Sequence, residues 1–131
     1  GVYGSEDGAG SWARRESGLP SNFGFPMVMT KDNTLIVCPL KADETRYFTD
    51  GRFAVYRSKD EAKSWTAATA GLPDSPTFTG VLRDAMCTDG NNGVYLGTMS
   101  GQLVASADAG ESWQSIGASL PRVLCVRAIT N

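Results

Sequence analysis

β-Branched and aromatic residues gather along this chain in short runs between Gly, Asp and Pro punctuation, and none recurs at helical spacing. The runs predict strands. Val2-Tyr3 and Ser11 to Glu16 form a first pair. Met27–Thr30, Thr34–Pro39, Phe53–Ser58 and Ser64–Thr69 form a set of four. Val81–Thr88, Val94–Thr98, Leu103–Ser106 and Ser112–Ile116 repeat it, and Val123–Ile129 begins another. The first strand of each set is nearly all apolar, which predicts burial on both faces, with Arg83, Asp84 and Arg127 interrupting. Lys41 to Gly51 lengthens one loop, and long loops on rigid scaffolds often carry function.

A repeat underlies this order. Ser5–Trp12 (SEDGAGSW), Ser58–Trp65 (SKDEAKSW) and Ser106–Trp113 (SADAGESW) share S-x-D-x-[GA]-x-S-W, and every tryptophan of the chain ends one copy. Their aspartates, at 7, 60 and 108, are spaced by 53 and 48 residues. Gly18-Leu19-Pro20, Gly71-Leu72-Pro73 and Ser119-Leu120-Pro121 each place Leu seven positions after the Trp. Two landmarks in register three times mark a structural repeat. In each octamer the Asp carboxylate can fold back onto backbone N–H groups, a following Gly tolerates positive φ, and the Ser hydroxyl adds a local bond. The Trp ring can then close over one face of the hairpin. Ala62 stands where the third copy has Gly110, which predicts a turn differing in detail.

Ser5, Asp7, Gly8, Trp12, Ser58, Asp60, Trp65, Ser106, Asp108, Gly110 and Trp113 carry a resemblance to the Asp-box of the bacterial neuraminidase repeat. With Val81–Ala85, Gly93–Thr98 and Leu103–Ser106, the chain also resembles the C-terminal part of sialidase-like, glycosyl hydrolase-like bacterial propeller proteins. The resemblance implies an all-β fold, a partial β-propeller of four-stranded antiparallel blades. Residues 1–20 would end one blade, 21–73 and 74–121 make two full blades, and 122–131 start a further one. It also implies that the Asp-box lies at the rim, away from the central pocket, and that its aspartates are structural.

Chemistry is constrained by what is missing. With no histidine, a Ser-His-Asp triad, a Cys-His pair and nearly every zinc site are excluded within this chain, as is the ribonuclease chemistry of some other Asp-box proteins. Twelve basic and fourteen acidic residues, without a long run of either sign, speak against a nucleic-acid or membrane-surface binder. No metal or cofactor is expected. Thr88-Asp89-Gly90-Asn91-Asn92-Gly93 offers oxygen ligands but lacks the alternating acids of a calcium loop, and reads as a turn.

Sialidases as a family use an arginine cluster, a Tyr–Glu nucleophile pair and an Asp acid/base. The candidates here are Arg83, Asp84, Arg122 and Arg127 on or beside inner strands, and Glu44, Arg46 and Tyr47 in the inserted loop. The alternative role for Arg83, Asp84 and Arg127 is ion pairing along a channel. Asp43 and Glu44, adjacent in sequence, point apart and do not suit a glycosidase pair.

Two functions follow: a non-catalytic module offering a surface to a carbohydrate or protein ligand, or a piece of a sialidase-like glycoside hydrolase completed elsewhere. Opening in mid-strand, the chain reads as a piece of a larger repeat protein. Open faces predict pairing with missing blades or with itself, most simply as a two-fold dimer. Cys38, Cys87 and Cys125 lie in apolar company and read as buried, unpaired thiols. They point to a cytoplasmic, soluble protein, with the compartment otherwise open.

Overall fold

Ten short strands, each antiparallel to its neighbours, form three sheets in the computed structural model, which describes residues 1–117 and 119–129. β1 (Tyr3–Gly4) and β2 (Ala13–Arg14) make the first. β3 (Phe23–Met29), β4 (Leu35–Leu40), β5 (Val55–Ser58) and β6 (Thr66–Ala68) make the second, in chain order. β7 (Met86–Thr88), β8 (Val94–Gly97), β9 (Leu103–Ser106) and β10 (Gln114–Ser115) make the third. The described residues are all-β, with sheets of two, four and four strands, none closed on itself. A 3-10 turn at Thr49–Gly51 is the one helical element among the described residues, and no helix among them is long and apolar enough to cross a membrane.

The sheets stack through alternate faces of their strands. Ile36, Cys38 and Leu40 of β4 point into the main core with Met86, Leu96 and Trp113 of the third sheet. Val37, one register step away, turns to the other side with Ala62 and Trp65, against Val2 and Leu19. A period-two strand buried on both faces thus joins two separate cores.

Several strand expectations need correction. β3 starts four residues earlier than predicted and carries an irregularity between Gly24 and Met27, because Pro26 has no N–H for the ladder. Its burial is patchy, with Met27 and Met29 exposed, since the first sheet has only two strands to lay against it. Only Met86–Thr88 of the predicted Val81–Thr88 strand is strand. Leu82 to Ala85 forms a turn closed by the Ala85 N–H to the Leu82 carbonyl, with Arg83 and Asp84 exposed on it. Val123–Ile129 is not a strand: it lies along the third sheet without a ladder partner. The last strands of the two larger sheets begin after Trp65 and Trp113, whose backbone N–H groups bond to Ser17 and Ala70 of the preceding repeat instead.

Candidate functional site

Each octamer folds around one carboxylate. Asp60 Oδ1 accepts from the Ser64 N–H at 2.9 Å and Oδ2 from the Ser64 hydroxyl at 2.6 Å, while the Ser58 hydroxyl donates to Oδ1 at 2.7 Å. Ser58 Oγ in turn accepts the Ala62 N–H at 2.9 Å. Ser5, Asp7, Ala9 and Ser11 repeat this network, as do Ser106, Asp108, Gly110 and Ser112.

The charge is well served by these donors. All three carboxyls are held at about 2: Asp7 chiefly by the Ser11 N–H and Asp60 chiefly by the Ser64 hydroxyl. At Asp108 desolvation is the largest single influence and acts upward, but the bonds from Ser112 and Ser106 together outweigh it. These aspartates are ionised, acceptor-only groups spent on their own loops.

Two consecutive residues with positive φ complete each turn: Gly8 and Ala9, Glu61 and Ala62, Ala109 and Gly110. In the second and third copies the Lys63 and Glu111 N–H groups bond back to the Asp60 and Asp108 carbonyls, as in a type I′ turn. The expected difference at Ala62 is therefore absent. Its φ of 67° is close to the 71° of Ala9 and the 77° of Gly110, because the Ser58 hydroxyl holds its N–H as Ser5 and Ser106 hold theirs.

The octamers also join one sheet to the next. The Trp65 N–H donates to the Ser17 carbonyl and the Trp113 N–H to the Ala70 carbonyl, both at 2.8 Å. The next residues, Gly18 and Gly71, have φ of +93° and +83°, and a Cβ on either would collide with the carbonyl of the same Trp. The Gly-Leu-Pro mark is thus the seat for the following tryptophan. The third copy has Ser119 and no later Trp; Leu120 bonds back to Gly101 of its own sheet. Trp65 and Trp113 are buried, and Trp65 Nε1 donates to the Arg15 carbonyl at 2.9 Å. Their rings face the preceding sheet and not only their own hairpin, while Trp12, which packs against no other sheet among the described residues, is 62% exposed.

Two arginines that sequence reasoning passed over reinforce these joints. Arg57 Nε donates to the Ala109 carbonyl at 2.7 Å, and Arg15 Nη1 to the Glu61 carbonyl at 2.9 Å. Ala109 and Glu61 hold the same place in their octamers. No shared sequence position could have shown this, because Arg57 precedes its octamer whereas Arg15 follows one.

The sialidase-type candidates do not converge. Asp84 and Arg127 meet, Oδ1 to Nη2 at 3.1 Å, but both are exposed, and Arg127 also donates to the Asp84 and Val126 carbonyls. The pair ties the C-terminal segment to the Leu82–Ala85 turn. Arg83 and Arg122 are exposed and take no part in it. Glu44 is exposed on the inserted loop.

That loop is ordered from within. Asp43 Oδ1 accepts the Thr45 and Arg46 N–H groups, and buried Phe48 stacks on Phe53 at 4.7 Å between centroids. Arg46 lies over both Phe23 and Phe25, 5.6 and 5.4 Å from their ring centres, and Tyr47 meets the edge of Phe78. Phe78, at 72% exposed, was missed because nothing around it in sequence marks it.

The remaining candidates resolve locally. Asp89 Oδ1 accepts the Asn91 and Gly93 N–H groups, which makes the Thr88–Gly93 segment a self-capped turn, as read from sequence. Cys38 is buried against Met86 Sδ at 4.0 Å, and burial pushes its thiol up to about 12. Cys87 is half-buried. Cys125 is exposed, against expectation. All three are free thiols. No group of three or more His, Cys, Asp or Glu residues able to hold a metal occurs among the described residues. No protein-family model matches this chain, and no curated protein does so either.

Proposed function

We propose that this chain is a section of an Asp-box β-propeller and serves as a non-catalytic scaffold that presents a binding surface. The observation that carries the reading is the repeated joint, in which Trp65 on Ser17 and Trp113 on Ala70 make the same bond at the same place in successive repeats. A stack of radial sheets needs such a joint at every step. The Asp-box carboxylates are fully engaged in their turns, which favours a structural role for them.

The surface best suited to a ligand lies at the inserted loop. There Arg46 lies over Phe23 and Phe25, and its chain neighbour Tyr47 meets the exposed Phe78. Aromatic faces beside a cation suit a ligand with both an apolar face and polar edges, such as a sugar ring or a protein side-chain cluster.

A fluorogenic sialoside assay tests the non-catalytic reading. The wild-type chain is expected to release no fluorophore. Turnover that Arg83→Ala or Tyr47→Phe abolishes would establish the hydrolase instead. Titration with oligosaccharides, with Phe78→Ala as control, tests the surface; saturable binding unchanged by that substitution would place the ligand elsewhere.

A further inference from the structure

Asparagine is followed by glycine once in this chain, at Asn92-Gly93. Such a pair is labile, because no side chain shields the glycine nitrogen, which can attack the side-chain carbon of the asparagine. Gly93 N bonds to Asn92 Cγ and ammonia leaves. Water then opens the cyclic imide at either carbonyl, giving aspartate or isoaspartate, and water is all that is consumed. The position cannot be made safe by a larger residue, since a Cβ on Gly93 would collide with the Asp89 carboxylate.

In the folded chain both reacting groups are held elsewhere. The Gly93 N–H donates to Asp89 Oδ1 at 3.1 Å, and Asn92 Oδ1 accepts the Asp32 N–H at 3.2 Å. The first bond keeps the proton on the attacking nitrogen, beside a negative charge that disfavours its loss. The second ties the side-chain amide to the turn between β3 and β4, on the neighbouring sheet. Two further bonds fasten the same place. The Lys31 N–H donates to the Asn91 carbonyl at 3.0 Å, and the Ala109 N–H to the Asn92 carbonyl at 2.9 Å. Gly93 is buried and Asn92 half-buried where the two four-stranded sheets meet.

We propose that Asn92-Gly93 is a latent modification site, guarded by the contact between the second and third sheets. While Asp32 and Asp89 hold their partners the imide does not form; when the sheets part, it does. Isoaspartate at 92 routes the main chain through the former side chain and lengthens it by one carbon just before β8. The oxygen that accepted the Asp32 N–H becomes a main-chain carbonyl, and the one that accepted the Ala109 N–H becomes part of a free carboxylate. The bonds lose their register, so a joint that has stayed open long enough to react no longer closes as before.

Incubation at mildly alkaline pH tests the guard, with mass spectrometry and peptide mapping reading the exchange of ammonia for water at Asn92. Conversion should be at least about tenfold slower in the folded chain than in the same chain in urea, because it must await opening. Asp89→Ala should raise the folded rate several-fold. Should circular dichroism show that variant unfolded, Asp89→Ser, which keeps a capping hydroxyl without the charge, carries the same expectation. Equal rates in the folded and unfolded chain, or a folded Asp89 variant that converts no faster than wild type, overturns the proposal. Hydrogen exchange on the converted chain tests the consequence. The Lys31, Asp32 and Ala109 amides should lose protection, while the Trp65 amide, bonded to Ser17 at the other joint, keeps its own. Unchanged protection at the first three would show that isoaspartate leaves the joint free to close, and sinks that half of the proposal.

Discussion

Arg57 donates its Nε proton to the carbonyl oxygen of Ala109, 2.7 Å away and 52 residues later in the chain. That carbonyl belongs to the left-handed pair at the tip of the third octamer, where Ala109 is 2% exposed. Arg15 does the same for Glu61 by another route. Gly4 occupies the place before its octamer that Arg57 holds in the next, and a Cβ there would collide with the Arg15 side chain, which crosses that space. The third repeat has Ala105 and Ile116 at these two places, and no octamer follows it.

Arg57→Ala should therefore destabilise the chain by about 1.5–3 kcal/mol, the usual range for losing a charged donor to a buried acceptor. Arg15→Ala should cost less, because Glu61 is exposed and water can replace the guanidinium. Urea unfolding of the two variants checks the order; equal losses would mean that burial of the accepting carbonyl is not what matters.

The tryptophans divide by burial. Trp65→Ala and Trp113→Ala should each cost on the order of 3–5 kcal/mol. Trp12→Ala should change stability by no more than about 0.5 kcal/mol. Trp65→Phe should lose roughly 1 kcal/mol more than its change in volume accounts for, since the indole N–H bond to Arg15 goes with it. Trp113 Nε1 has no hydrogen-bond partner among the described residues, so Trp113→Phe should carry no such surcharge. Thermal melts monitored by circular dichroism distinguish these cases.

At the seat for the next tryptophan, Gly71→Ala should destabilise by at least about 1–2 kcal/mol. The positive φ alone accounts for that much, before the new methyl group meets the Trp113 carbonyl. Gly90→Ala, also at positive φ but with open space around its Cβ position, isolates the backbone cost. Comparable losses in the two variants would show that the Trp113 contact yields freely.

The three octamer aspartates set an acid limit. Their folded pKa values are held below the unfolded carboxylate value near 4, so their contribution to stability is fully present above that pH. It declines as pH falls from about 4 toward 2, where the folded groups take up protons. Carbon-detected NMR of the carboxyl groups should find all three titrating near 2. Asp60→Asn should flatten the loss of stability in that window; an unchanged slope would show that the Ser58 and Ser64 bonds do not discriminate between the charged and neutral carboxyl.

Much of the strand order could be read from residues because its signals are local. Alternating apolar runs between turn residues located nine of the ten strands to within a few positions, and the octamer chemistry identified each turn. The first strands of the sets were harder. Pro26 displaced the start of β3, and an apolar run at Val81 proved to contain a turn, since apolarity reports burial and not ladder pairing. The site candidates fared unevenly. Asp84 and Arg127 were found as an ion pair, and Glu44, Tyr47 and Arg83 take no part in it.

By itself the sequence determined the repeat, its turns and the class of sheet they join, because each depends on hydrogen bonds within about four residues of an aspartate or serine. Only the tertiary structure decided how one repeat meets the next: which tryptophans are buried, why Gly-Leu-Pro follows at a fixed distance, and which arginine reaches which carbonyl. Those contacts span some 40 to 50 residues, and no local pattern records which groups will face each other once the sheets have stacked.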